Sequence, residues 1–151
     1  RHPEGGYYSE TYRSAGKIPA SALHDAYAGE RCCLTSIYFL LDVGEVSKFH
    51  RLRSDEIWYY HAGNGLIIHQ IDAEGVYRQT ILGPDTENGQ SFQIVVPAGT
   101  WFGATIIGAD QPSLAGCAVA PGFDFADFEL ANRESLLAVF PAHREIIVPL
   151  T

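Results

Sequence analysis

Short apolar runs rich in β-branched and aromatic residues recur along the chain, separated by clusters of Gly, Pro, Asn and Asp. That pattern predicts strands over residues 35–41, 56–61, 66–72, 77–82, 91–96 and 113–119. Ala62-Gly63-Asn64-Gly65 supplies residues that tolerate positive φ, which predicts a hairpin joining 56–61 to 66–72. Asp72-Ala73-Glu74-Gly75 does the same for 66–72 and 77–82. The polar stretch 83–89 is long enough to cross between two sheets, so a sandwich or barrel is expected. After Pro121-Gly122 the character changes. Residues 131–140 hold good helix formers with Asn132 as N-cap, Pro141 ends the helix, and 142–146 add a further turn before strand-like terminal residues.

Composition narrows the function classes. The chain has 151 residues, 46% hydrophobic and 19% charged, which predicts one compact domain over 1–151. Lys and Arg number 10 against 18 Asp and Glu, a net charge of −8 that repels a phosphate backbone, so no nucleic-acid partner is expected. No apolar run is long enough to span a bilayer and RHPEGG carries no apolar signal segment, so no membrane partner and a cytoplasmic location are expected. Cys32 and Cys33 are adjacent and Cys117 stands alone, which suits neither a disulfide framework nor a zinc ribbon; buried free thiols are expected. No Gly-x-Ser-x-Gly elbow and no glycine-rich loop from strand into helix occur.

The informative stretch runs from Gly44 to Gly63, with His50, Leu52 and Glu56 spaced between. It resembles the first motif of the cupin superfamily with Leu52 in place of a histidine. Pro97-Ala98-Gly99-Thr100-Trp101-Phe102 resembles the second, with Phe102 in place of another. The blocks His2-Pro3-Glu4-Gly5-Gly6, Thr11-Tyr12-Arg13-Ser14, Ser54-Asp55-Glu56-Ile57-Trp58 and Ala120-Pro121-Gly122-Phe123 are similar to the cupin subgroup known as a domain of unknown function. The resemblance spans nearly the whole chain. It implies an all-β double-stranded β-helix, a jelly-roll barrel with a short C-terminal helical segment, a homodimer, and a cavity in the barrel mouth. Two of the four metal-ligand positions implied by the superfamily hold hydrocarbon, so no metal and no other cofactor is expected.

Strand alternation places Glu56, Trp58 and Tyr60 on one face and Ile57, Tyr59 and His61 on the other. Lys48, His50 and Leu52 share a face in the same way. If the barrel forms, His50 and Glu56 look into one cavity. His50 is then the expected base, Glu56 its orienter and Tyr60 the candidate acid, with Tyr38 as a second choice. Lys48, Trp58, Tyr38 and Phe102 are the expected ligand-binding residues for a small polar metabolite, sugar-like or keto. The site is similar to metal-free sugar epimerases of the cupin superfamily through His50 alone. Three classes stay open: a metal-independent isomerase or epimerase, a non-catalytic small-molecule binding protein, and a metal-dependent enzyme with a reduced ligand set.

Overall fold

Alternation of apolar and polar side chains sorts the strands into two facing sheets that bury one face each. The computed structural model describes residues 1–24 and 27–151. One sheet has the spatial order β1 (Tyr7–Arg13), β4 (Thr35–Leu41), β11 (Ser113–Ala120), β6 (Asp55–Gly63), β9 (Gln93–Val96). The other has β12 (Phe128–Leu130), β5 (Val46–Leu52), β10 (Trp101–Ile106), β7 (Leu66–Ile71), β8 (Tyr77–Leu82). The short strands β2 (Lys17–Ile18) and β3 (Arg31–Cys32) pair with each other. Between the sheets lie Phe39, Leu41, Trp58, Ile68, Val96 and Phe102, all essentially inaccessible. This is the jelly-roll arrangement that the resemblance implied. No helix among the described residues is long and apolar enough to cross a membrane.

The outer face of the second sheet is covered by the C-terminal segment. Asn132 caps α1 (Arg133–Val139) by accepting from Ser135 N at 3.0 Å, and α2 (Arg144–Ile147) follows a single 3-10 turn begun by Pro141. Leu136, Ile147 and Leu150 pack there on Phe49 and Ile71. The last residues, Val148–Leu150, form a 3-10 turn rather than the expected extended segment.

Two further expectations are corrected. Strands β6 and β7 do not pair as a hairpin; β6 pairs with β11 and β9, and β7 with β10 and β8. The turn between them bonds elsewhere, Asn64 N donating to Pro112 O at 3.1 Å, so the chain passes from one sheet to the other. The second correction concerns β5. Against β10 its register slips between His50 and Ser47, a β-bulge that breaks the alternation. Lys48 therefore points to solvent while Ser47 and His50 both turn inward. Gly103 faces the bulge closely: a Cβ there would lie 2.7 Å from Ser47 O.

A buried ion pair ties the barrel mouth to its rim. Arg31 grips Asp127 through Nε–Oδ2 at 2.6 Å and Nη2–Oδ1 at 2.8 Å, with the two side chains 6% and 4% exposed. Removing one partner strands the other charge. Asp127→Ala is expected to lower the unfolding free energy by about 3 kcal/mol, the lower end for such pairs because this one lies just under the surface. The double change Arg31→Met with Asp127→Leu should recover most of that loss. Urea unfolding midpoints of the three variants check it.

Candidate active site

A cavity of about 400 Å³ opens between the sheets at the end formed by β1, β4, β5, β6 and β11. Its walls are hydrocarbon from Ile37, Phe39, Leu52 and Val119, and its polar groups come from three directions. The bulge in β5 delivers His50, and β6 delivers Glu56 and Trp58. The segment before β1 delivers His2 and Glu4. That segment is held by a donation from Lys48 N to Glu4 O at 2.8 Å and by Gly5 and Gly6, both at positive φ. A Cβ at Gly5 would meet Val46 O at 2.3 Å, so glycine is what lets the strand edge and the segment approach so closely.

His50 is fully enclosed and oriented by two contacts. Its Nδ1 lies 2.7 Å from Lys48 O, and because a carbonyl only accepts, Nδ1 carries the hydrogen. Nε2 lies 3.2 Å from Glu4 Oε2. Glu4 Oε1 accepts from Ser47 Oγ at 2.9 Å, and Oε2 is 2.9 Å from His2 Nδ1 without the alignment of a hydrogen bond. Burial pushes the Glu4 carboxyl up, but His50, His2 and Ser47 together outweigh it and hold Glu4 below its ordinary value. Burial pushes His50 down, against the pull of Glu4 and the Lys48 carbonyl. A lone pair on Nε2 beside a carboxylate is relieved when Nε2 takes a proton, which suits the pair to act as a base.

Glu56 behaves in the opposite way. Burial, and next the charge of Glu4, push its carboxyl up to about 8, with Cys117 and Trp58 opposing, so at neutral pH it is an acid with a proton to donate. The Cys117 thiol is driven up by burial, Glu56 and Glu4 and stays protonated. It is not an activated nucleophile. The cavity thus holds a base and a neutral carboxylic acid, two titratable groups with environments that push them apart.

The expected site residues divide. His50, Glu56 and Trp58 line the cavity. Phe102 lies behind it, its ring centroid 4.0 Å from that of His50, as a backing for the imidazole. Lys48 is exposed because of the bulge. Tyr38 is 51% exposed on the outer face, packed edge-on against His61. Tyr60 donates to Gly63 O at 2.7 Å and packs against the core rather than lining the cavity. The partner of His50 is Glu4, not Glu56. Of the thiols, Cys32 and Cys117 are buried and Cys33 is exposed. His69 sits on the far sheet between Tyr77 and Thr105, pushed down to about 4 by burial.

Sequence reasoning passed over His2, Glu4, Tyr8, Glu10 and Phe125. The block His2-Pro3-Glu4-Gly5-Gly6 was the available signal, an acid and an imidazole ahead of two glycines that read only as turn formers. As for a metal, no group of three or more His, Cys, Asp or Glu able to hold one is assembled among the described residues, and Leu52 and Phe102 put hydrocarbon beside His50. This donor set does not fit a resident transition metal.

A family model described as the cupin superfamily, DUF985, matches residues 1–131. An uncharacterized protein of Saccharomyces cerevisiae, YML079W, is 30% identical over 146 residues, 91% of this chain and 72% of that one. Protein SO0799 from Shewanella oneidensis has a solved structure similar at TM-score 0.90 and 44% identity, covering 100% of this chain and 89% of that one. A hypothetical protein from Leishmania major is similar at TM-score 0.89 and 39% identity, covering 99% of this chain and 91% of that one. Solved proteins at 15–16% identity, an oxalate decarboxylase of Bacillus subtilis and a double-stranded β-helix protein of Klebsiella pneumoniae among them, share the fold alone.

Proposed function

The chain belongs to the DUF985 family of the cupin superfamily, and from that footing we propose that it binds a small carbonyl-bearing metabolite in the barrel cavity and moves a proton on it as a metal-independent isomerase or epimerase. The observation that carries this reading is the pairing of His50 with Glu4 in the same 400 Å³ cavity as the enclosed carboxylic acid Glu56. In the step it supports, a carbon–hydrogen bond next to the carbonyl breaks and the proton goes to His50 Nε2. The imidazolium is then held between the Lys48 carbonyl and the Glu4 carboxylate. The electron pair moves onto the carbonyl oxygen, which takes the proton of Glu56, and reversal at the other face or the neighbouring carbon gives the product.

The test is solvent exchange. Small aldoses, ketoses and keto acids are incubated with the protein in deuterated water, and label at the carbon next to the carbonyl is followed by mass spectrometry. Label entering one of them at a rate above that of heat-denatured protein is the expected result. Compounds that raise the melting temperature yet take up no label would make this a binding protein and overturn the enzymatic reading.

We also propose that the partner is a second copy of this chain. The middle of the outer face of the first sheet, Tyr38, Leu40, Ile57, Tyr59, Gly116 and Ala118, carries no charged side chain, and Tyr38 is 51% exposed. The corresponding face of the other sheet is already covered by α1 and α2. For a chain with net charge −8, a charge-free face is where two copies meet without repulsion. Light scattering should give twice 16.5 kDa for the protein and 16.5 kDa for Tyr38→Asp. A monomeric wild type at micromolar concentration overturns the proposal.

A further inference from the structure

The mouth of the cavity differs chemically from its floor. Four aromatic rings, those of Tyr8, Phe123, Phe125 and Phe128, surround the His2 ring with centroids 5.1 to 6.1 Å from it. All line the cavity, and Tyr8 and Phe125 remain 41% and 52% exposed. Glu10 and Asp124 stand on the same rim, with Glu4 beneath them. Arg13 is the one Lys or Arg lining the cavity, among the described residues, and its nitrogens are already engaged. Nε and Nη2 bond Glu10, the latter at 2.8 Å, and Nη1 donates to Phe123 O at 3.2 Å. Lys48, the other cation expected here, faces solvent. Glu10 is already matched by Arg13, so the rim offers π faces and the Asp124 carboxylate, with Glu4 beneath, and no unsatisfied positive group for an anion.

The floor supplies an independent observation. Trp58 is 1% exposed and lines the cavity, and its indole N–H, although near enough to Glu56 to favour that carboxylate, reaches no acceptor with hydrogen-bond geometry. A buried donor left unmatched is costly, and an indole only donates, so an oxygen acceptor on a ligand is what completes it. Electron-rich ring faces backed by carboxylates attract cations, and most strongly those whose charge is spread over alkyl groups.

Resting on the reading of this cavity as the ligand site, we propose that its ligand is a small organic cation, an amine or alkylated ammonium compound that also carries a carbonyl or hydroxyl oxygen. The cationic head sits against the exposed parts of Tyr8 and Phe125 beside Asp124, outside the His2 ring that these side chains enclose, and the oxygen accepts from Trp58 Nε1. Phosphorylated and carboxylated metabolites are disfavoured at the same rim.

Isothermal titration calorimetry of the full chain at low salt tests this with choline, ethanolamine, the uncharged choline isostere 3,3-dimethylbutan-1-ol, the anion 3-hydroxypropionate, and tetramethylammonium, which has no oxygen. Choline or ethanolamine should bind about tenfold more tightly than the isostere, and 3-hydroxypropionate most weakly. Phe125→Ala, at a position 52% exposed, should weaken choline about fivefold. Trp58→Phe keeps the ring and removes the N–H, so it should weaken choline and leave tetramethylammonium unchanged. An isostere that binds as well as choline, an anion that binds best, or no ammonium compound binding at all overturns the proposal. Any of these outcomes alongside deuterium uptake by an uncharged sugar leaves the proton-transfer reading standing. Ammonium binding with no label entering any carbonyl compound leaves this proposal and removes that one.

Discussion

Between pH 5 and 8 the wild type is expected to lose about 3–5 kcal/mol of stability relative to Glu56→Gln. The native carboxyl, pushed to about 8, keeps its proton where the unfolded chain has released it near the ordinary value of 4.5. The folded state then binds more protons than the unfolded one, so stability falls as pH rises through this window. Below it the side chain costs nothing; above it the full cost of a buried anion beside Glu4 is felt. Glutamine has the same shape and cannot ionise. The wild type should melt about 10 °C below the variant at pH 8.5 and level with it at pH 4. Using the difference between the two proteins matters, because His69, pushed down to about 4, loses stability in the opposite direction, on acidification. A pH-independent difference would refute the assignment of a protonated carboxyl to the cavity.

His50→Gln should lower the rate of deuterium uptake about 10²–10⁴-fold, the range for loss of a positioned general base. Glutamine fills similar space and can still donate to the Lys48 carbonyl, so ligand affinity should change little. That combination of lost rate and kept affinity separates removal of a base from collapse of the pocket. Glu4→Gln leaves His50 in place but takes away the carboxylate that stabilises its imidazolium. It should cost less than His50→Gln and move the acidic side of the useful pH range, which the base sets, to lower pH. If Glu4→Gln exchanges as fast as the wild type, the pair does not act as a unit.

The barrel was legible in the chain because its inner strands are apolar enough to declare themselves. Strands 35–41 and 77–82 were placed to the residue, and the change to helix at Asn132 followed from its capping chemistry. The strands that escaped, β1, β5, β10 and β12 with the two-residue β2 and β3, are polar, very short or follow a proline-glycine turn, and the partners of the longer ones lie far away in sequence. The misplaced hairpin at 62–65 shows the limit of turn chemistry, which reports that the chain reverses and not which sheet receives it. Within the site, spacing brought His50, Glu56 and Trp58 into one cavity. It put Lys48 there too, since strict alternation has no way to see an inserted residue at a bulge. Glu4 was hidden for a different reason: its distance from His50 in the chain is closed by tertiary contact alone.

The carboxylate facing His50 is carried by a tether laid over the barrel, pinned by Gly5 and Gly6 and by one bond to Lys48 N. The wall strands can then hold leucine and phenylalanine beside His50, with the carboxylate supplied from outside the sheets. The charge that faces His50 is thus set by a few residues of the tether, and substitutions there change it while the sandwich beneath is left as it is.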